Sequence, residues 1–389
     1  MRLLPFEYAV RNLGRSPLRL VMSVAGSALV VLLMIAASAF VRGMEQSLTD
    51  SGSARNVILL GAGSEESIER SEIKASVPTQ AIASVRGIKS QLGQHYISPE
   101  IHMALTVGVT RDEQTTSQVV VRGVEAAAFL VHPQVRISEG RMFSAGNNEI
   151  IVGRLAATRL GMNADELAIG KSIWFDDQAW TIVGHFDAPS TVMEAEVWAP
   201  LNDLKVSAKR DTISCAVLTL ASDGELDDVS AFAASRVDLE LIAMSESEYY
   251  RKLVAFYQPV RMMIWVTATL IALGGIFGGL NTMYAAFAAR VREIGTLQSL
   301  GFSRRAIVVS FVQESTLAAA TGALIAAALS LLIFDGLAIK FSMGAFGLRM
   351  DATTLSTGLL AGLVLGIVGA LPPAIRCLKM PITQALKAA

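Results

Sequence analysis

A chain of 389 residues that is 52% hydrophobic and only 17% charged, with a formal net charge of −1 and a mean hydropathy of +0.48, is too apolar for an ordinary soluble domain and lacks the basic excess of a nucleic-acid-binding protein. Its two cysteines exclude a disulfide framework. Its four histidines, His95, His102, His132 and His185, form no tight cluster with Cys, Asp or Glu along the sequence, so no metal centre is expected.

Residues 1–19 carry Arg2, Arg11, Arg15 and Arg19 against one acid, Glu7, interleaved with Leu3, Leu4, Phe6, Tyr8, Val10 and Leu13. That mixture predicts an amphipathic helix on a membrane surface, starting near Pro5 and broken at Ser16-Pro17. A first span is predicted over 20–42, because Leu20 to Val41 runs about 22 residues without a charge. The rival reading, a signal peptide cleaved after Ala37-Ser38-Ala39, fits less well, since the basic segment is long and patterned and the apolar run exceeds a usual signal core.

From 43 to 258 the composition becomes that of an α+β domain. Arg55 to Leu60, Val119 to Val124, Glu149 to Val152, Ile213 to Leu220 and Leu239 to Ala243 read as strands. Arg154 to Leu160 and Glu225 to Arg236 read as helices, and Ser172 to Phe175 with Ala179 to Val183 reads as a hairpin. Gly61 to Ser76 is polar and reads as an exposed loop. Ser245 to Gln258 is a helical approach to a second span over 259–289. A third span is predicted over 306–334 and a fourth over 352–375, joined by an external loop over 335–351 and followed by a tail over 376–389.

The segment 290–305, between the second and third spans, holds four arginines and one glutamate, which cannot sit in hydrocarbon. Val291, Ile294, Leu297 and Leu300 recur at a spacing of three, and Gly301 stands where a helix would stop. It reads as a surface helix whose apolar face meets either lipid or a partner. Lys and Arg gather in 1–19, in 290–305 and in the tail, which predicts both termini on the cytoplasmic side and the α+β domain outside. Cys215 is then external and Cys377 cytoplasmic, so the two do not pair.

Gly275 and Gly279 in the second span and Gly362 and Gly366 in the fourth have the small-xxx-small spacing that lets helices approach closely in lipid, within one subunit or between two. Asn281 and Glu314 are the polar groups that enter the spans. Pairing with a nearby arginine is the simpler role for Glu314, and without a chain of intramembrane carboxylates a proton-coupled transporter is poorly supported. Met44, Leu48, Phe256, Met262 and Trp265 lie at the outer ends of the first two spans, where an amphiphile can rest and where interfacial residues are also expected without one.

The runs Asn281-Thr282-Met283-Tyr284, Arg290-Val291-Arg292-Glu293-Ile294-Gly295-Thr296-Leu297 and Leu300-Gly301-Phe302-Ser303-Arg304-Arg305 resemble the permease subunits of MacB/FtsX-type (type VII) ABC transporters, a group that includes LolC-like and DevC-like proteins. Glu139-Gly140-Arg141-Met142-Phe143, Asn148 to Gly153 and Trp180 to Gly184 are similar to that family's external core domain, and Pro381 to Lys387 to its tail. The resemblance implies a membrane α-helical fold of four transmembrane helices with a large α+β extracytoplasmic domain inserted between the first and second. It implies an inner-membrane homodimer working with two copies of a separate ABC ATPase subunit, which holds ATP and Mg, while this chain binds no cofactor and is not itself an enzyme. No Gly-x-x-x-x-Gly-Lys-Ser/Thr loop occurs in the chain. Arg290, Arg292, Glu293, Ile294, Leu297, Leu300 and Gly301 then form a coupling helix that passes ATPase motion to the external domain, a mode called mechanotransmission. The implied role is export or extraction of a lipid, lipoprotein, glycolipid or drug, with a periplasmic adaptor (membrane fusion protein) as a further partner. The alternative is an FtsX-like signalling subunit that regulates an external partner such as a cell-wall hydrolase. A membrane-anchored external enzyme is disfavoured, since Ser, His and acidic residues fall into no recognisable catalytic motif.

Overall fold

The structure, a computed structural model, describes residues 4–111, 117–342 and 344–378, with backbone alone at 377 and 378. The Pro381 to Lys387 motif and the tail from 379 onward lie outside the described residues, as does the side chain of Cys377. Among the described residues, four helices are long and apolar enough to cross a membrane: Pro17–Ser51, Gln258–Ala288, Arg304–Ile333 and Ala352–Arg376. The amphipathic helix is Phe6–Gly14 and the basic one is Val291–Ser299, with Leu300 as its C-cap and Gly301 at a φ of +89°. A left-handed residue just past the last turn is the backbone that glycine adopts without strain.

The chain divides into two compact units, one of residues 1–42, 259–337 and 348–389 and one of residues 43–258 and 338–347. In the helical unit, Phe287, Ile294, Ile307, Phe311 and Ala374 form one buried cluster and Val31, Ile35, Ala323 and Ala326 another. Glycines make the close approaches. A Cβ on Gly366 would meet the Thr316 Cα at 2.7 Å, and one on Gly362 the Ala323 Cβ at 2.7 Å. A Cβ on Gly275 would meet the Val30 Cγ2 at 2.7 Å, and one on Gly279 meets nothing within 4 Å. The expected close contacts thus lie within this chain at Gly275, Gly362 and Gly366, while Gly279 faces open space.

The second unit is an α+β fold around a ten-stranded sheet, whose strands run, edge to edge, Leu241–Ser245, Asn56–Gly61, Cys215–Thr219, Ile97–Thr106, Gln118–Val124, Val197–Pro200, Glu149–Gly153, Gln178–Asp187 and Arg136–Gly140, with Ser172–Phe175 beside Gln178–Asp187. The strand Ile97–Thr106 joins two halves. Ile97 to Glu100 pair with Leu218 to Cys215, and Ile101 to Thr106 pair with Gly123 to Gln118. One face of the sheet is covered by aliphatic core residues and helices such as Leu226–Ser235; the other carries Trp198, Phe186 and Met193.

The predicted external loop 335–351 is more than a loop. Residues Ala338–Phe341 and Gly344–Gly347 form a hairpin counted with the α+β unit, and Ala345 is buried with Leu155 and Ala195. The long strand Ile97–Thr106 goes unread in the sequence because Pro99, Glu100 and His102 interrupt its apolar pattern.

Leucine at Gly366 has no space beside the Thr316 backbone and should destabilise the detergent-solubilised protein by about 1–3 kcal/mol. Leucine at Gly279 should change it by less than about 0.5 kcal/mol. Thermal unfolding of the two variants compares them directly, and equal losses would refute this assignment of helix contacts.

Candidate functional site

The α+β unit buries a polar cluster where its two half-sheets meet. Glu100 and His102 are two residues apart on one strand and so share a face. Register sets Cys215 opposite Glu100 on one side and Arg122 opposite His102 on the other. The Arg122 guanidinium grips Glu196 in a bidentate pair, Nε to Oε2 at 2.7 Å and Nη2 to Oε1 at 2.6 Å, and its Nη1 donates to Glu100 Oε2 at 2.9 Å. His102 Nε2 lies 3.1 Å from the same Glu100 oxygen, and His132 Nε2 lies 2.9 Å from Glu100 Oε1. The Trp198 indole donates to Glu196 Oε2 at 2.8 Å. Glu246, at the start of helix Glu246–Phe256, accepts from the Ser53 backbone N–H and from Asn56 Nδ2, both at 2.9 Å.

Burial raises carboxyl pKa values, yet the charges of His132 and Arg122 and the hydrogen bonds from both histidines hold Glu100 well below its usual value. Arg122 does the same for Glu196. Burial would lower His132, but Glu100 reverses this and raises it; burial and Arg122 together lower His102. These shifts favour ionised Glu100 and Glu196, the protonated form of His132 and the neutral form of His102, with His102 Nε2 as the donor to Glu100. Burial raises Glu246, which faces the cluster from a separate element.

Ligand atoms of Glu100, His102 and Cys215 lie within 4.8 Å of one another, the spacing of a metal site. The donor set does not fit one: both Glu100 oxygens are already hydrogen-bonded, a guanidinium sits beside them, and burial pushes the Cys215 thiol well up, toward its protonated form. The expectation that the histidines stay unclustered fails for His102 and His132, which converge on Glu100. Only the Glu100-x-His102 spacing carried any signal of this in the sequence.

Above the cluster lies a cavity of about 530 Å³. Its floor includes Glu100, His102, Arg122, Glu196, Glu246 and Tyr250, and its walls include Met44, Leu48, Phe256 and, from the hairpin 338–347, Phe341 and Phe346. Of the residues read as cargo-facing, Met44, Leu48 and Phe256 thus line one cavity. Met262 and Trp265 do not line it; both lie on helix Gln258–Ala288, Met262 exposed and Trp265 half-buried.

In the helical unit the basic segment is tied down from both ends. Arg290, buried, donates to Glu314 Oε2 at 2.9 Å and to the Asn12 carbonyl at 3.3 Å. Glu293 pairs with Arg15 at 3.1 Å, both exposed. Ile294 is 3% exposed and Leu297 half-buried, packed with Phe287, Ile307 and Phe311. Of the residues read as a coupling helix, Arg290 and Ile294 are thus buried and Leu297 half-buried against the chain's own core, which leaves Leu300 as the outward member of the apolar stripe. Arg292, Glu293, Thr296 and Leu300, the last 68% exposed, face out. Asn281 is exposed on its helix.

Residues 20–235 match the family model described as MacB-like periplasmic core domain, and residues 265–382 match the FtsX-like permease C-terminal model. The uncharacterized ABC transporter permease YknZ of Bacillus subtilis is 22% identical over 388 residues, which cover 95% of each chain. The macrolide export ATP-binding/permease protein MacB of Campylobacter jejuni is 22% identical over 360 residues, 82% of this chain but 54% of that protein. The crystal structure of the periplasmic region of MacB from Actinobacillus actinomycetemcomitans is similar over 53% of this chain and 94% of its own, at 12% identity and a TM-score of 0.40.

Removing the guanidinium at Arg122 strands Glu100 and Glu196 as buried carboxylates, and Arg122→Met should cost about 3–5 kcal/mol in chemical denaturation followed by tryptophan fluorescence. The two carboxylates, held below the usual 4.5, contribute stability that is present above about pH 4.5 and lost as pH falls through their folded values. His132, held above 6.5, contributes stability present below about pH 6.5 and lost as pH rises through its folded value. His132→Gln should flatten the alkaline limb of the stability profile and, because His132 helps to hold Glu100 low, make the acid limb shallower as well; an unchanged alkaline limb would contradict the assigned shift.

Proposed function

We infer how this chain works from the family to which it belongs, the MacB/FtsX-type (type VII) ABC transporter permeases: as a multi-pass membrane subunit, it couples ATP hydrolysis by a separate ATPase chain to motion of its α+β domain. The proposed arrangement is a homodimer of this chain with two ATPase copies, both termini cytoplasmic and the α+β domain outside. The proposed cargo is amphiphilic, a lipid, lipoprotein, glycolipid or drug, handed on with or without a periplasmic adaptor.

The observation that carries the reading is the helix Val291–Ser299. Its inner face is buried and its base is fixed by the Arg290–Glu314 pair, while Arg292, Glu293, Thr296 and Leu300 stay outward on an otherwise anchored element. A push on that outward face is transmitted because the helix cannot slide freely over Phe287, Ile307 and Phe311. The Arg15–Glu293 pair carries the same push to helix Phe6–Gly14 and so toward the first span.

The cavity in the α+β unit favours cargo handling over regulation of a hydrolase, since a purely signalling domain has no need of an internal ligand-sized space. Glu293→Arg combined with Leu300→Asp should abolish co-purification of a Walker-motif ATPase while leaving membrane insertion and the melting temperature unchanged. ATPase retained at wild-type ratio by this variant would refute the coupling role, and a cell-wall hydrolase in the wild-type complex would favour the signalling alternative.

A further inference from the structure

We propose that the cavity of the α+β unit is a binding site for a lipophilic cation, an amine or onium group carried on an apolar body, with Glu246 and Tyr250 as its polar contacts. Five carboxylates line the cavity, Glu66, Glu69, Glu100, Glu196 and Glu246, against two guanidiniums. One of those, Arg122, is already committed to Glu196 and Glu100, and the other, Arg70, lies exposed at the rim. Glu100 and Glu196 are balanced by Arg122 and His132, which leaves Glu66, Glu69 and Glu246 against Arg70 alone, so an anion entering this space meets an excess of carboxylates whereas a cation meets acceptors.

Glu246 is the acceptor left open. Its Oε2 is filled by Ser53 and Asn56, but the nearest cation to its Oε1 is His132 Nδ1 at 3.7 Å, beyond hydrogen-bond reach. Tyr250, only 7% exposed, lines the same space, and its hydroxyl makes no hydrogen bond among the described residues. Glu246 Oε1 and the Tyr250 hydroxyl thus line the cavity without a protein partner, and a ligand in the space can hydrogen-bond to both.

The walls supply the rest of the class. Tyr249, Tyr250, Phe256, Tyr257, Phe341 and Phe346 place six aromatic rings around the space, the surface on which a weakly hydrated cation is held by ring faces. Phe256 at the rim is 68% exposed, so the space can be entered. The volume, about 530 Å³, is that of a drug-sized ligand. Burial raises Glu246, and a bound cation would draw it back toward the ionised form.

Site and class do not depend on the coupling reading, so the test is made on the full chain in lipid nanodiscs without any ATPase. Tetraphenylphosphonium and tetraphenylborate have nearly the same shape and opposite charge, and equilibrium dialysis against empty nanodiscs subtracts their partition into lipid. The cation should bind saturably, near one per chain, and at least tenfold more tightly than the anion. Tyr250→Phe, which keeps the ring, should weaken the cation several-fold, and Glu246→Gln tenfold or more. Phe256→Ala, at the exposed rim, should weaken it several-fold without disturbing the buried cluster. The Glu293→Arg/Leu300→Asp variant should bind as wild type, which separates failure of this site from failure of coupling. Equal or tighter binding of the anion, absence of saturable cation binding, or wild-type affinity in both Tyr250→Phe and Phe256→Ala would overturn the proposal.

Discussion

The grip of Arg122 on Glu100 and Glu196 is the interaction on which the α+β unit depends. Glu100 is the last residue of Ile97–Thr106 that pairs toward Cys215, and Ile101 is the first that pairs toward Gly123. The guanidinium therefore bridges the residue at the junction of the half-sheets to the residue just before strand Val197–Pro200. A fully buried carboxylate in such a place is tolerable only because both of its oxygens have donors and the charges nearly cancel. The charges also restrict register, since a one-residue slip would turn Glu100 and Arg122 onto the apolar face.

The same cluster forms the floor of the cavity, so fold stability and the proposed ligand site are built from shared residues. Arg122, Glu196 and Glu100 satisfy one another, while Glu246 Oε1 and the Tyr250 hydroxyl are left without a protein partner at their edge. Such a division is what a site needs: a rigid, internally neutral base that does not rearrange, next to groups that gain from a ligand. The aromatic wall comes from helix Glu246–Phe256 and from the hairpin 338–347, which lies more than 80 residues away in sequence.

In the helical unit the logic is different. The buried Arg290–Glu314 pair and the Asn12 carbonyl fix the start of helix Val291–Ser299, and its aliphatic stripe turns inward. A short helix of about two and a half turns has little intrinsic stability and takes its position from these contacts. What remains outward is polar apart from Leu300, so the proposed contact with an ATPase is mainly one of charge and shape around a single apolar anchor.

Length, hydropathy and charge placement in the sequence determined the four long apolar helices, the surface helices at 6–14 and 291–299 and the α+β character of 43–258, because each rests on local composition or on a period within one element. Glu314 was legible as an intramembrane charge needing a partner, since the cost of burying it is independent of the fold. Which arginine pairs with it, and that Ile294 and Leu297 face inward, depended on where the neighbouring helices lie. The polar cluster was illegible for a stronger reason. Glu100, His132, Glu196 and Glu246 are scattered over almost 150 residues, and only strand order and register bring them together. Inward-facing polar residues also erased the alternation by which the strand Ile97–Thr106 would have been recognised. The tertiary structure alone decided that these groups meet, and that a hairpin from the loop between the last two spans helps to wall the cavity above them.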